Sequence, residues 1–171
     1  MAANPDETAA TCRTLIGEDG IRSWSDSHAD AWIGMLETHK RLTRELEAEL
    51  EAEHGLSLSG VEVLGRLAAA DRRMLRLTDL ADSAGLSLGR ISRITDTLEM
   101  RGLVERRPCP TDARAKNAYL TEEGLELLRQ AQGTHFAGVE ERFFDRLEPA
   151  EVEALASIFG RFAPGAASDC T

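Results

Sequence analysis

Cysteine is scarce in these 171 residues and poorly spaced for chemistry: Cys12, Cys109 and Cys170 are odd in number, far apart and never in a C-x-x-C pair. A disulfide framework, a zinc knuckle and a dithiol redox centre are therefore not expected, and the three are read as reduced thiols. No stretch of about 18 uncharged apolar residues occurs, so no membrane-spanning helix is expected. Asp6 and Glu7 lie where a secretory leader carries positive charge, and the expected location is the cytoplasm. Glycine-rich phosphate loops, nucleophile elbows, the H-E-x-x-H pattern and a Ser, His and Asp set of known order are missing as well. The carboxylates are abundant but fall on solvated helix faces. No catalytic residue, cofactor or resident metal is expected, and the chain does not read as an enzyme.

Positive charge is also in short supply, with 20 Lys and Arg against 30 Asp and Glu and a net charge of -10. Such a balance disfavours contact with phosphate. Its distribution reverses that conclusion locally, because the segment from Arg72 to Lys116 holds ten basic and six acidic residues, a net +4. What is present otherwise, 42% hydrophobic and 29% charged residues, is the mixture of a soluble globular protein. The length suits one core, or a small domain with long helices that need a partner to cover them.

Residues 1 to about 25 contain Pro5, Gly17 and Gly20 and show little periodicity; they read as an N-terminal arm with room for a short helix. From about Ser27 to Glu53, Trp32, Met35, His39, Leu42, Leu46 and Leu50 recur at the spacing of one stripe of a long helix, which Gly55 ends. Ser57 or Ser59 can cap the next helix, and Ser59 with Glu62 fits a capping box ahead of Val63, Leu64 and Leu67. Met74 to Leu77 reads as a small strand. Leu77 to Ala84 reads as a short helix ended by Gly85, and Ser87 caps a longer one with Ile91, Ile94 and Leu98 inward, closing at Gly102.

Beyond Gly102 the period becomes alternating. Leu103 to Arg107 and Ala118 to Leu120 predict two strands around a loop of about ten residues, a hairpin with a long tip. Thr121 starts another helix, with Glu122 and Glu123 at the positive end of its dipole. Its stripe, Leu125, Leu128, Gln132, Phe136, Val139, Phe143 and Leu147, is too long for so small a hairpin domain to cover. Pro149 opens a last helix bearing Val152, Leu155, Phe159 and Phe162, which Pro164 ends.

The run Leu77 to Asp96 carries the most specific local signal. Two helices that meet steeply need a small residue at the crossing and a glycine in the turn, and Ala81 and Gly85 stand at those places. Leu80, Ala84, Leu86, Ile91 and Ile94 supply the contacts between the helices. Ser87, Gly89, Arg90, Ser92, Arg93 and Thr97 are left on the outer face of the second, a surface suited to a DNA major groove. Arg90 and Arg93 can fork onto guanine edges or clamp phosphates, and Gly89 permits close approach. The same two arginines, taken alone, fit a merely solvated face. The hairpin tip adds Arg106, Arg107, Asp112, Arg114 and Lys116. Arg114 suits an adjacent minor groove with Asp112 orienting it, although an i, i+2 surface ion pair is the simpler reading of those two.

The run Gly102-Leu103-Val104-Glu105-Arg106, then Asp112-x-Arg114, then Leu120-Thr121-Glu122-Glu123-Gly124, resembles the signature of the MarR family (multiple antibiotic resistance regulator) of winged-helix proteins. The likeness extends over roughly residues 28 to 163 and is strongest from Leu77 to Gly124. It implies a mainly α fold with a small β-hairpin wing: a winged helix-turn-helix DNA-binding domain plus long helices that form a dimerisation domain. Laid on this chain, that gives an arm at 1–25, a first dimerisation helix at 26–56, the DNA-binding domain at 57–120, C-terminal dimerisation helices at 121–163 and a tail at 164–171. The recognition helix falls at Ser87 to Arg101, and Asp112 and Arg114 take the wing's Asp-x-Arg. The implied function is a dimeric regulator of transcription, a repressor, that reads a pseudo-palindromic site in double-stranded DNA.

The resemblance further implies release of DNA by a small phenolic or anionic effector. Trp32, His39 and Arg66 are candidate pocket residues, although Trp32 and His39 lie on the apolar stripe and equally suit a dimer core. A redox-responsive alternative rests on Cys109, flanked by Arg106, Arg107 and Arg114, which also fits an incidental loop thiol. The cysteine and tyrosine pattern of peroxide-sensing members is not met, since Cys12 precedes the first long helix and Tyr119 is the one tyrosine. A zinc-responsive alternative would need His28, His39, His54 and His135, none of which has ligand spacing within one turn. The rival of another class is a winged-helix protein-interaction module without DNA binding, against which Arg90, Arg93 and Arg114 speak together.

Overall fold

Residues 26 to 54 contain no proline and a single glycine, and they form one 29-residue helix, α1 (Asp26–His54). In the computed structural model, residues 14–24, 26–109 and 112–162 are described, with the backbone alone for 14, 109 and 112–115. The chain divides into two compact units, residues 1–43 and 44–171, and the boundary falls inside α1.

In the first unit, β1 (Thr14–Ile16) and β2 (Arg22–Trp24) pair antiparallel, Leu15 opposite Ser23. Residues 14–24 of the N-terminal arm therefore form a hairpin, an element the sequence did not show there. The reason is local: Asp19 accepts from the Ile21 N–H at 3.0 Å and Gly20 takes φ 77°, a left-handed turn that glycine adopts at little cost. Residues 1–13 lie outside the described residues. No described residue of this unit is buried, and Leu15, Ile16, Ile21, Trp24, Trp32, Ile33 and Met35 are all exposed.

In the second unit the end of α1 is followed by α2 (Leu58–Ala69), β3 (Met74–Arg76), α3 (Leu77–Ala84), α4 (Leu88–Met100), β4 (Val104–Cys109), β5 (Asp112–Leu120), α5 (Glu122–Arg142) and α6 (Pro149–Gly160). Leu50, Leu56, Val63, Leu64, Leu67, Leu80, Ile91 and Val104 are nearly sealed from solvent and make the centre of the core. Ser57, not Ser59, caps α2, accepting from the Gly60 N–H at 3.1 Å, and Glu62 pairs with Arg66 at 2.8 Å. The expected capping box at Ser59 is thus replaced by a cap two residues earlier.

The strands form a sheet in the order β3-β5-β4, with Arg76 and Arg107 opposite Asn117 on either side. The strands run further than the alternation showed. Two residues separate β4 from β5 where a loop of about ten was expected, with a register irregularity at Pro108/Cys109. Backbone pairing does not need side-chain alternation, which is why the polar Arg107 to Lys116 stretch concealed it.

The face of α5 that packs inward also departs from the expected stripe. Its buried positions are Leu128, which is on that stripe, and the small residues Gly124, Ala131 and Gly138, which are not. Phe136, on the expected stripe, is 65% exposed. A methyl group at Gly138 would lie 2.8 Å from Leu46, Glu49 and Arg142 atoms, so this glycine lets α5 approach the end of α1. Arg142 sits over that approach, 3.0 Å from Glu49 and 3.9 Å from Glu45. At the other end of α5 the Thr121 hydroxyl accepts from the Gly124 N–H at 3.0 Å and donates to the Gly102 carbonyl at 2.8 Å.

Candidate nucleic-acid interface

The turn between α3 and α4 is built by one glycine. Gly85 takes φ 62° and ψ 28°, and its N–H and that of Leu86 close back on the carbonyls of Asp82 and Ala81 at 3.2 and 3.0 Å. Ala81 is 4% exposed at the helix crossing, as steep packing requires. Ser87 then caps α4, its hydroxyl accepting from the Arg90 N–H at 3.3 Å.

One side of α4 is buried through Ile91, Thr95 and Leu98. Thr95 is polar but satisfied, its hydroxyl reaching the carbonyl of Ile91 at 2.9 Å. The opposite side presents Ser87, Gly89, Arg90, Arg93 and Thr97 to solvent, with Ser92 half-buried. Arg90 rests against Ser59 of α2 at 3.1 Å, and Arg93 reaches the Gly89 carbonyl at 3.4 Å. These are weak holds on long side chains, which leaves most of each guanidinium fork directed outward.

The wing is tied to α4 by a residue expected on the DNA-facing tip. The Arg106 guanidinium contacts Asp96 and donates to Glu99 at 2.7 Å, while its backbone N–H donates to the same carboxylate at 2.9 Å. Those bonds hold the Glu99 carboxyl below the usual carboxylate range and raise Arg106 above its own. Arg107 points elsewhere: it forks onto Glu105 at 2.7 and 2.6 Å and lies 4.7 Å from the Tyr119 ring centre. Lys116 is exposed beside Arg106, Arg107 and Pro108. The backbones of Asp112 and Arg114 belong to β5, and their side chains, like that of Cys109, lie outside the described residues.

The structure thus groups Ser87, Gly89, Arg90, Ser92, Arg93 and Thr97 on one helix, with Arg106, Arg107 and Lys116 on the adjoining hairpin. Sequence reasoning missed Asp96 and Glu99 as partners of Arg106, and Ser59 as a rest for Arg90. Glu99 lies on α4 one turn before Gly102, and a chain reversal there returns Arg106 towards it; that spacing was the available signal. Of the effector candidates, Trp32 and His39 are exposed on α1, and Arg66 is engaged by Glu62 on α2. His54 meets the Thr134 hydroxyl at 2.8 Å and His135 packs beside Phe136. Among the described residues no three His, Cys, Asp or Glu side chains converge as a metal site. No described helix is long and apolar enough to cross a membrane.

The family model described as MarR family matches residues 56–116, the stretch from the end of α1 through the wing. The HTH-type transcriptional regulator MhqR of Bacillus subtilis is 31% identical over 109 residues, which is 64% of this chain and 73% of that protein. Two solved structures from Streptomyces coelicolor are 33% identical with a TM-score of 0.76 and cover 84% of this chain. They are AbsC, a MarR family transcriptional regulator matched over 97% of its length, and Sco3205, another, matched over 90% and solved in complex with DNA. A shared helix-turn-helix, wing and sequence over nearly the whole length of such relatives leave one assignment: this chain belongs to the MarR family of winged helix-turn-helix transcriptional regulators.

Proposed function

We propose that the protein binds double-stranded DNA sequence-specifically as a homodimer and represses transcription until a small-molecule effector releases it. The observation that carries this reading is the outward face of α4, where Arg90 and Arg93 stand on a helix whose other face is locked into the core. A reading helix must be rigid behind and polar in front, and here both conditions meet beside a basic hairpin. Ser87, Gly89, Arg90, Ser92, Arg93 and Thr97 face the major groove in this scheme. Arg107, Lys116 and Arg114, the last oriented by Asp112, contact the backbone and minor groove. Arg106 acts through Asp96 and Glu99, holding the wing on α4. The DNA complex of Sco3205 supports the same mode for this chain.

What one chain leaves uncovered supports a homodimer. Phe136, Phe159 and Phe162 are exposed at 65%, 48% and 80%, more aromatic surface than a lone soluble domain keeps without a partner. A phenolic or anionic molecule is the proposed effector, with Trp32 and His39 of the first unit and Arg66 of the second each a separate candidate contact.

The reading is tested by selecting bound duplexes from a randomised library and following the winner by fluorescence anisotropy against salt. With six or more phosphate contacts per dimer, affinity falls about a thousandfold between roughly 50 and 200 mM salt. Arg114→Ala lowers affinity and reduces the salt slope. Failure to enrich any duplex, or salt-independent binding, would favour the protein-interaction reading instead.

A further inference from the structure

We propose that Arg101 is the positioning residue that braces the recognition helix against the first long helix, and so sets which half-site spacing the dimer accepts; this rests on the DNA-binding dimer proposed above. Arg101 is the C-cap residue of α4. Its guanidinium does not turn outward with Arg90 and Arg93. It reaches the terminus of α1, donating to the Gly55 carbonyl through one terminal nitrogen and to the His54 carbonyl at 2.9 Å through the other.

Those two carbonyls lie at the negative end of a 29-residue helix, where they have no partner within the helix itself. Gly55 leaves α1 with φ 63°, and a methyl group there would sit 3.5 Å from the Arg101 terminal nitrogens, so the chain reversal presents the carbonyls to the fork. A planar guanidinium with two donors side by side fixes an angle as well as a distance, which a single ammonium cannot do.

Of the holds on that end of α4, Arg106 on Asp96 and Glu99 ties it to the wing, and Arg101 ties it to α1. Leu98, two residues before the end of α4, packs near Gly60 at the start of α2. Arg90 touches Ser59 at the other end. Beside Arg101 lies an open cleft of about 290 Å³, bordered by Glu51, Ser57, Arg93 and Thr97, with no side chain filling it. Apolar contact through Ile91 and Leu98 keeps α4 on the core without fixing its angle to α1, which two directed bonds at its end do. In a dimer that shares α1, the two reading helices are then referred to one rigid frame. A base pair added between half-sites moves one of them by about 3.4 Å along the axis and rotates it, which a braced pair does not follow.

The experiment uses the full chain and the duplex that the wild type selects, with two further duplexes carrying one base pair added or removed at the centre. Wild type should prefer the selected spacing by at least tenfold, about 1.4 kcal/mol. In Arg101→Ala, and in Arg101→Met, which keeps the aliphatic stem if alanine impairs folding, that ratio falls towards one while Tm and the salt slope stay near wild type. An unchanged ratio in a folded variant overturns the proposal. Equal loss on all three duplexes with a shallower salt slope also overturns it, since Arg101 would then be a phosphate contact. If the wild type itself selects no duplex, it is the DNA-binding reading that fails.

Discussion

A single methyl group at Gly124 should test how α5 is joined to the wing. The built Cβ would lie 2.1 Å from the Leu103 carbonyl oxygen and 2.8 Å from a Leu120 methyl. The first contact is with backbone, so the start of α5 must retreat by about an ångström, and the Thr121 N–H that reaches the same oxygen at 3.2 Å is lost with it. Overpacking of this severity costs about 3 kcal/mol and the hydrogen bond about 1, offset by up to ~1 from replacing glycine in a helix. A net loss of about 3 kcal/mol corresponds to a Tm lower by roughly 6–12 °C for a domain of this size. Gly65→Ala is the control: it lies inside α2 with nothing within 4 Å of the added atom, and it should gain about 0.5–1 kcal/mol. Thermal unfolding followed by circular dichroism reads both. A Gly124→Ala protein that melts within 2 °C of wild type would refute the close approach and with it the account of how α5 is seated.

Three further outcomes are expected. Because the Arg106 guanidinium and backbone N–H hold the Glu99 carboxyl below its usual range, their contribution is present above about pH 4.5 and lost as pH falls through the lowered value; Glu99→Gln should therefore be less stable at neutral pH and show a shallower acid loss in denaturant titrations. Phe136→Asp should weaken self-association by about thirtyfold or more, the effect of removing ~2 kcal/mol from a central aromatic anchor, and unchanged dimer mass in light scattering at dilute protein would count against that face. Arg93→Ala should reduce discrimination between the selected duplex and single-base variants by about 1–3 kcal/mol; equal binding profiles would remove Arg93 from base reading.

Much of the DNA-binding half was legible because its signals are local. Ser87, Thr121 and Gly85 act through hydrogen bonds to neighbours three to five residues away, so the residue type and its spacing suffice to place the ends of α3, α4 and α5. The periodicity of Ile91 and Leu98 likewise gave the inward face of α4, and by subtraction the outer face with Arg90 and Arg93. The family resemblance rested on the same segment, where short-range constraints are densest.

What only the tertiary structure decided depends on pairs of residues distant in sequence. Ser57 and Ser59 are equivalent as local caps, and Ser59 serves Arg90, thirty-one residues away, instead. Arg106 looks like one more basic residue of a wing until the reversal at Gly102 brings it to Asp96 and Glu99. The apolar stripe of α5 exceeded what one chain can cover without saying which of its residues would be left: Gly124 faces the wing and Gly138 the end of α1, while the Phe136 ring stays outside. Hydrophobic periodicity reports which residues avoid water and not which neighbour covers them; that choice belongs to the packing of helices whose partners lie far along the chain.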